Sequence, residues 1–168
     1  MPKINENLEQ KLIEEAQKQV AQSGYGAFTI RSVAKACGVG IGTVYNYFQS
    51  KDDLLAAFLL DDWQKCMSAI VSASEQSASP EQVVHSMFDQ LLSYAKRHEA
   101  IFRDETAVTN FAGSFSHYHG LLRAQLAEPI RKYCGSDFQA EFVAESLLTW
   151  SMSGKSFDEI YEILKKLF

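Results

Sequence analysis

Hydrophobic side chains recur with the period of an α-helix along almost the whole chain, and no segment alternates cleanly enough to be a strand. From Asn7 onward, Leu8, Leu12, Ala16 and Val20 recur every four residues, with mostly polar residues between them. Residues 23–26 contain two glycines and are predicted to end this first helix, because glycine readily adopts the left-handed conformation found at helix ends. The pattern predicts an all-α fold.

Two short helices are predicted next. Thr29 is expected to cap the first of them, since its hydroxyl can accept a hydrogen bond from a free backbone N–H group. Residues 38–40 (Gly-Val-Gly) interrupt the pattern, and the next helix is predicted over 41–48 with Val44 and Phe48 on its inner face. Two short helices joined by a glycine turn are typical of a helix-turn-helix.

The rest of the chain is also predicted to be helical. Ser50 is expected to open a long fourth helix, and the small polar stretch 72–80 is expected to be a connection. Residues 99–111 have weaker helical character, and a longer helix is predicted from near Phe115 toward Tyr133. Three further serines are predicted to cap later helices: Ser79, Ser136 and Ser156.

The order of these helices predicts two domains. Residues 1–50 form a three-helix helix-turn-helix domain, and residues 51–168 form a C-terminal helical bundle. The composition, 46% hydrophobic and 22% charged, is that of an ordinary globular protein.

Localisation is predicted from three absences in the sequence. No apolar run approaches the roughly 20 residues that a membrane-spanning helix needs, and no secretory signal is visible. The three cysteines are odd in number and never form a C-x-x-C pair, which favours a reducing compartment. We therefore expect a cytoplasmic protein that contacts no membrane.

Charged residues are unevenly distributed along the chain, and this changes the conclusion that the net charge alone would suggest about partners. A net charge of −5 argues by itself against a nucleic-acid partner. Residues 16–51, however, contain four basic residues and no acidic one, whereas residues 52–168 contain 17 acidic and 10 basic residues. The two parts are predicted to meet different partners, although a solvated basic face would have the same composition.

The outer face of the third predicted helix consists of Thr43, Tyr45, Asn46 and Tyr47. A plain solvated face would instead be expected to hold Lys and Glu. Hydroxyl and amide groups can bond to phosphates and base edges, and a threonine methyl can touch a thymine methyl. The sequence therefore predicts that this helix contacts DNA.

Lys51 lies at the positive end of the fourth predicted helix, where a cation is unfavourable by about 0.3–1 kcal/mol. A DNA phosphate at that position would reverse the sign of this contribution. The alternative is that Asp52 and Asp53 already neutralise the helix end.

Residues 29–51 contain A-x-x-x-G-V, then G-T-V-Y-N-Y-F, then S-K. This segment resembles the N-terminal domain of TetR-family transcriptional regulators, and the resemblance covers roughly residues 8–60. It implies that Thr29 and Arg31 contact phosphates, that Thr43, Tyr45 and Tyr47 contact DNA, and that Lys51 contacts a phosphate.

The sequence departs from the family pattern at Gly40 and Ile41, where a serine and a polar or charged residue are common. Glycine is a weaker helix cap than serine by a few tenths of a kcal/mol, and Ile41 could only pack against a thymine methyl. The complete set of predicted DNA-binding residues is Thr29, Arg31, Ile41, Gly42, Thr43, Tyr45, Asn46, Tyr47 and Lys51.

The resemblance also implies that the C-terminal helices form a homodimer and enclose a small-molecule pocket. The last predicted helix has more apolar positions than one buried face requires, which independently suggests a second buried face, either within the chain or across a two-fold axis. The predicted dimer residues are Phe142, Leu147, Trp150, Tyr161, Leu164 and Phe168. A dimer would place two recognition helices in successive major grooves, about 34–36 Å apart.

The middle helices are rich in aromatic residues, which could surround an apolar or aromatic effector or simply form core. The candidates are Phe88, Phe102, Phe111, Phe115 and Tyr118, with His117 as a polar contact. On a helix, His117 and His119 would diverge by about 200°, so no metal site is predicted.

No catalytic motif, phosphate-binding loop or cofactor signature is present. We therefore expect no enzyme activity and no cofactor. The sequence predicts a homodimeric repressor that binds a palindromic double-stranded operator and is released by a small-molecule effector. The alternative is a ligand-independent architectural DNA-binding protein of the same fold.

Overall fold

The computed structural model describes the backbone of residues 6–168 and the side chains of residues 7–109 and 119–168. Its helices are α1 (Glu6–Ala27), α2 (Ile30–Ala36), α3 (Ile41–Tyr45), α4 (Lys51–Gln76), α5 (Pro80–Arg97), α6 (Glu99–Phe102), α7 (Glu105–Arg131), α8 (Asp137–Trp150) and α9 (Phe157–Leu164). A 3-10 turn over Lys165–Leu167 follows. No strand occurs in the described backbone, and the all-α prediction is confirmed. Within the same residues, no helix is long and apolar enough to cross a membrane.

The chain divides into two compact units. The first unit consists of the chain up to Asp62 together with Arg97–Ala112, and the second consists of Trp63–Lys96 and Gly113–Phe168. Helices α4, α5 and α7 therefore have residues in both units. The boundary predicted after residue 50 coincides with the start of α4, whereas the units divide this helix after Asp62. The assignment of separate functions to residues 1–50 and 51–168 stays a prediction.

Each unit has its own hydrophobic core. In the first unit, α6 packs against α1, and the largest fully buried side chains include Phe28 and Phe58. In the second unit, the core includes Met87 from α5, Ile130 from α7 and Leu147 from α8. These cores hold the short helices in place, because helices this short are marginal in water without tertiary packing.

The end of α4 differs from the prediction. Residues 72–80 were expected to be a connection, but α4 continues to Gln76. The backbone carbonyl of Ser74 accepts a hydrogen bond from Lys132 Nζ (2.9 Å), and that of Ser77 accepts one from the Tyr133 hydroxyl (3.1 Å). Both donors are more than 50 positions away along the chain, so the local composition could not reveal them.

The start of α7 also differs from the prediction. This helix begins at Glu105, well before the predicted start near Phe115. Oδ1 of Asp104 accepts hydrogen bonds from the backbone N–H groups of Thr106 (3.0 Å) and Ala107 (2.9 Å). Asp104 thus satisfies donors at the helix start that have no partner within the helix, and α7 forms from this point.

The third helix is shorter than predicted, because α3 ends at Tyr45 rather than at Phe48. The chain continues in turns in which the N–H group of Phe48 bonds to the carbonyl of Val44 (3.0 Å). These turns bury Phe48 before α4 begins. The predicted cap of α4 is confirmed, since the Ser50 hydroxyl accepts from the Asp53 N–H group (3.0 Å).

Three polar side chains meet inside the first unit. Oδ2 of Asp62 accepts from Nε of Arg97 (2.8 Å) and lies 2.9 Å from Nε2 of His98, which is buried against Phe58. Burial lowers the pKa of His98 and outweighs the opposing effect of Asp62. Burial acts to raise the pKa of Asp62, but hydrogen bonds from Arg97 and His98 together hold it below its ordinary value.

The backbone conformation at Gly24, just before the helix-turn-helix, is expected to require glycine. Its φ of 77° and ψ of 169° lie in a region essentially restricted to glycine. We expect Gly24→Ala to lower the free energy of unfolding by about 1–3 kcal/mol, measured by urea denaturation. Gly26→Ala is the matched control, because a Cβ atom meets nothing within 4 Å at either position and only Gly24 has a positive φ. Equal stability of the two variants would contradict this explanation.

Burial of His98 is expected to make the free energy of unfolding depend on pH. The folded-state pKa of His98 lies below its ordinary value of 6.5, so below pH 6.5 the unfolded chain takes up a proton that the folded chain does not. This imidazole should therefore lower stability as the pH falls from 6.5 toward the folded-state pKa. His98→Gln keeps an N–H donor for Asp62 but cannot titrate. Thermal midpoints between pH 7 and pH 5 should fall more for the original chain than for this variant, with the exposed-site variant His85→Gln as the control. Parallel curves for the original chain and His98→Gln would disprove the effect.

Candidate nucleic-acid interface

The start of α2 is held by reciprocal hydrogen bonds. The Thr29 hydroxyl accepts from the Ser32 N–H group (3.0 Å), and the Ser32 hydroxyl accepts from the Thr29 N–H group (3.2 Å). The Ser32 hydroxyl also donates to Oε1 of Gln19 on α1 (2.5 Å). The predicted cap is confirmed, and the start of α2 is attached to α1.

The turn between α2 and α3 depends on Gly38, whose φ is 70°. A left-handed glycine ends the helix, and the N–H group of Val39 then bonds to the carbonyl of Ala34 (3.0 Å). Val39 also packs against the core of the first unit. The predicted glycine turn is confirmed, and it sets the direction in which α3 leaves α2.

One side of α3 is buried and the other sides are accessible. Val44 is fully buried, and Phe48 is almost fully buried just beyond the helix. Tyr45 is 52% exposed, and three other predicted DNA-binding residues are exposed: Ile41, Gly42 and Asn46. We call Ile41, Gly42, Thr43, Tyr45 and Asn46 the α3 surface. Thr43 is half-buried, so its methyl and hydroxyl groups are partly accessible.

Tyr47, Thr29 and Arg31 have different surroundings. Tyr47 is half-buried and packs against the core of the first unit, so it is less accessible than Tyr45. Thr29 is exposed, but its hydroxyl already serves as the cap of α2. Arg31 is exposed in the first turn of α2, which contains no acidic residue. The DNA-binding roles of all three residues stay predictions.

Lys51 makes two interactions that the sequence analysis missed. Its Nζ atom donates to the backbone carbonyl of Tyr25 (2.6 Å) and lies 3.7 Å from the centre of the Tyr25 ring. The buried Tyr25 in turn donates its hydroxyl to Oδ1 of Asp52 (2.6 Å). A carbonyl oxygen and an aromatic face both favour a cation, so they offset the unfavourable helix end. Hydrophobic periodicity could not predict this interaction. Tyr25 lies in the segment predicted to end the first helix, so it belongs to no predicted apolar face.

The predicted effector residues do not form one described cluster. Phe88 belongs to the core of the second unit, 5.8 Å from Phe157 between ring centres. Phe102 is partly exposed on α6 in the first unit, with its ring centre 6.2 Å from that of His98. Four candidates lie outside the described side chains: Phe111, Phe115, His117 and Tyr118. The effector pocket stays a prediction.

Two of the predicted dimer residues require correction. Leu147 and Leu164 are fully buried in the core of their own chain, because those positions of α8 and α9 face the second unit's interior. Tyr161 is half-buried and stacks on Phe157 with ring centres 5.2 Å apart. The other three predicted residues are exposed: Phe142, Trp150 and Phe168.

Phe138, which the hydrophobic pattern did not single out, is 76% exposed on α8. It lies four residues before Phe142, and the two ring centres are 6.4 Å apart. This spacing is visible in the sequence, but periodicity alone could not show which face of α8 is buried. We call Phe138, Phe142 and Trp150 the α8 aromatic stripe.

Of the two histidines near the middle of α7, the structure describes the side chain of His119. Nε2 of His119 lies 3.6 Å from Oε1 of Glu145, while the side chain of His117 is outside the described residues. Among the described side chains, no group of three or more His, Cys, Asp or Glu residues could hold a metal ion.

Comparison with known proteins identifies the helix-turn-helix. The sequence profile described as "Bacterial regulatory proteins, tetR family" matches residues 12–58, which include α2, α3 and the start of α4. The helix-turn-helix segment of this chain is therefore of the TetR-family type. Regulators of this family bind DNA and act as dimers.

Two curated relatives extend this comparison. The chain is 29% identical over 104 residues to "Uncharacterized HTH-type transcriptional regulator YhgD" of Bacillus subtilis, covering 60% of this chain and 54% of YhgD. It is also 29% identical over 99 residues to "HTH-type transcriptional repressor KstR2" of Rhodococcus jostii, covering 56% of this chain and 48% of KstR2. This chain thus spans about half the length of these relatives. They are regulators rather than enzymes, in agreement with the predicted class.

A solved structure shares the fold over nearly the whole chain. A transcriptional regulator from Aquifex aeolicus VF5 superposes with a TM-score of 0.63 at 15% sequence identity. The match covers 95% of this chain and 96% of that chain. At this identity the likeness supports the helical architecture of the chain, including the parts outside the helix-turn-helix.

Proposed function

We propose that this TetR-family chain is a cytoplasmic homodimeric repressor that binds a palindromic DNA operator. The observation that carries the proposal is the α3 surface, where polar and aromatic side chains project from a helix anchored by Val44 and Phe48. A short anchored helix with an exposed polar face can enter a major groove. The similarity to the repressor KstR2 supports repression rather than activation.

The side chains divide into two kinds of DNA contact. Thr43, Tyr45 and Asn46 can hydrogen-bond to base edges or phosphates, and Ile41 can pack against a thymine methyl. Arg31 and Lys51 offer positive charge to phosphates. Because residues 16–51 contain no acidic residue, the local charge favours DNA although the net charge of the chain is negative.

The second copy in the proposed dimer would cover the α8 aromatic stripe. Phe138 and Phe142 are exposed with ring centres 6.4 Å apart, and Trp150 is exposed farther along the same helix. Large exposed apolar side chains that lie together commonly mark a protein interface. A palindromic operator offers two half-sites about 34–36 Å apart, which two identical chains related by a two-fold axis can occupy together.

The proposed effector is a small, largely apolar or aromatic molecule. It would act by binding more tightly to the conformation that binds DNA poorly, since only a difference in affinity between two states can shift their populations. Helices α4, α5 and α7 have residues in both compact units, and they are the elements through which this effect would pass.

Fluorescence anisotropy with the DNA that flanks the protein's own gene tests the repressor proposal. The logarithm of the association constant for the operator should fall linearly with the logarithm of the salt concentration. The slope should be about −0.9 for each phosphate that the protein neutralises. Release by a small molecule would support a repressor. Specific binding that no tested ligand alters would favour the architectural alternative, and binding without sequence preference would contradict the proposal.

Tyr45→Ala should weaken operator binding about tenfold or more, because a specific contact to a base is worth about 1–3 kcal/mol. Dimerisation should be unchanged, since Tyr45 is exposed on α3. Operator affinity is measured by anisotropy titration for Tyr45→Ala, Tyr45→Phe and the control Leu60→Ala. The comparison of Tyr45→Phe with Tyr45→Ala separates the contribution of the hydroxyl from that of the ring. Undiminished affinity of Tyr45→Ala would remove α3 from the proposed interface.

Phe142→Glu should shift the protein toward a monomer. In a two-fold interface the substitution replaces the same aromatic side chain on both copies, which is expected to raise the dimer dissociation constant roughly thirtyfold or more. Sedimentation equilibrium measures this directly. Leu60→Glu is the matched control, because Leu60 is 50% exposed and Phe142 is 47% exposed, yet Leu60 lies on α4. A variant that dimerises like the original chain would place the interface elsewhere.

A further inference from the structure

Tyr25, near the end of α1, contacts the first residues of α4. It is almost fully buried, and it follows Gly24, whose positive φ turns the chain at this point. Three parts of the residue face α4: its backbone carbonyl and its ring contact Lys51, and its hydroxyl contacts Asp52. The ring and hydroxyl contacts depend on the tyrosine side chain, whereas the carbonyl contact belongs to the backbone.

The ammonium group of Lys51 is held in one place by these interactions. Nζ lies 2.6 Å from the carbonyl oxygen of Tyr25, 3.7 Å from the centre of its ring and 5.6 Å from the ring centre of Phe28. The carbonyl takes one donor of an ammonium group that has three. Lys51 remains half-buried rather than enclosed, so a phosphate could approach the ammonium from the solvent side.

Asp52 is a potential competitor for the same ammonium group. It directly follows Lys51 in the first turn of α4, and an adjacent carboxylate both attracts a lysine and repels a phosphate. The Tyr25 hydroxyl donates to Oδ1 of Asp52 at 2.6 Å, a short bond of the kind that a charged acceptor forms. This bond restrains the carboxylate.

We propose that Tyr25 is a positioning residue for DNA binding. Its carbonyl and ring hold the ammonium group of Lys51 ready for a DNA phosphate, and its hydroxyl prevents Asp52 from pairing with that ammonium. This inference rests on the proposed function, because it assumes that Lys51 contacts the operator.

Tyr25→Phe isolates the role of the hydroxyl. The variant keeps the backbone carbonyl and the aromatic ring beside Lys51, but it releases Asp52. We expect weaker operator binding and a less steep salt dependence, shifted in the same direction as in Lys51→Ala. For Lys51→Ala, the magnitude of the slope should fall by about 0.9 for each phosphate that the variant no longer neutralises.

Asp52→Asn provides the decisive second change. In the Tyr25→Phe background it removes the carboxylate that competes for Lys51, so the salt slope should return toward that of the Asp52→Asn single variant. Anisotropy titrations of the two single variants and the double variant form a double-mutant cycle. A tyrosine that only stabilised the fold would not be rescued in this way.

Tyr133→Phe is the matched control. Tyr133 is half-buried, and its hydroxyl likewise donates a hydrogen bond, to the carbonyl of Ser77 in the second unit. Thermal unfolding should show lowered midpoints for both Tyr→Phe variants, whereas only Tyr25→Phe should change the salt slope of DNA binding.

The possible outcomes separate this inference from the proposed function. An unchanged slope in Tyr25→Phe, or a loss that Asp52→Asn does not reverse, overturns the positioning role while Lys51→Ala still shows its own effect. An unchanged slope in Lys51→Ala overturns the phosphate contact of Lys51, and the positioning role with it. Absence of sequence-specific binding by the original chain overturns the proposed function itself.

Discussion

Burial of Val44 and Phe48 in the core of the first unit is the interaction on which the proposed DNA-binding surface depends. Helix α3 has only five residues, and a helix of that length is unstable in water without tertiary contacts. The residue at its N-cap position, Gly40, provides no side-chain cap. Helix formation at this point must therefore be supported by packing. That same packing orients Tyr45, Asn46 and their neighbours toward solvent.

The attachment of α3 is strengthened by interactions on both sides of it. Before α3, the Thr29–Ser32 cap and the left-handed Gly38 determine where α2 begins and ends. After α3, Tyr25 and Lys51 link the start of α4 to the end of α1. A rigid support of this kind reduces the conformational freedom that a DNA-binding surface loses on association.

An acidic protein can present a favourable surface to DNA because charges interact over short distances. At physiological salt, exposed charges are screened beyond about 8 Å, so the charges nearest to the α3 surface count most, and residues 16–51 contain no acidic residue. The acidic residues at the start of α4 are the exception, since Asp52 lies beside Lys51. The hydrogen bond that the Tyr25 hydroxyl donates to Asp52 restrains this carboxylate.

The sequence by itself determined the all-α fold, the caps at Thr29, Ser136 and Ser156 and the family motif. These features depend on helical periodicity and on hydrogen bonds between residues three or four positions apart. Only the tertiary structure decided that Leu147 and Leu164 are core residues while Phe138 is exposed, that Lys132 and Tyr133 bond to carbonyls near the end of α4, and that Tyr25 contacts Lys51. The physical reason is that burial and these longer-range hydrogen bonds depend on which distant parts of the chain meet, and a local pattern contains no information about that.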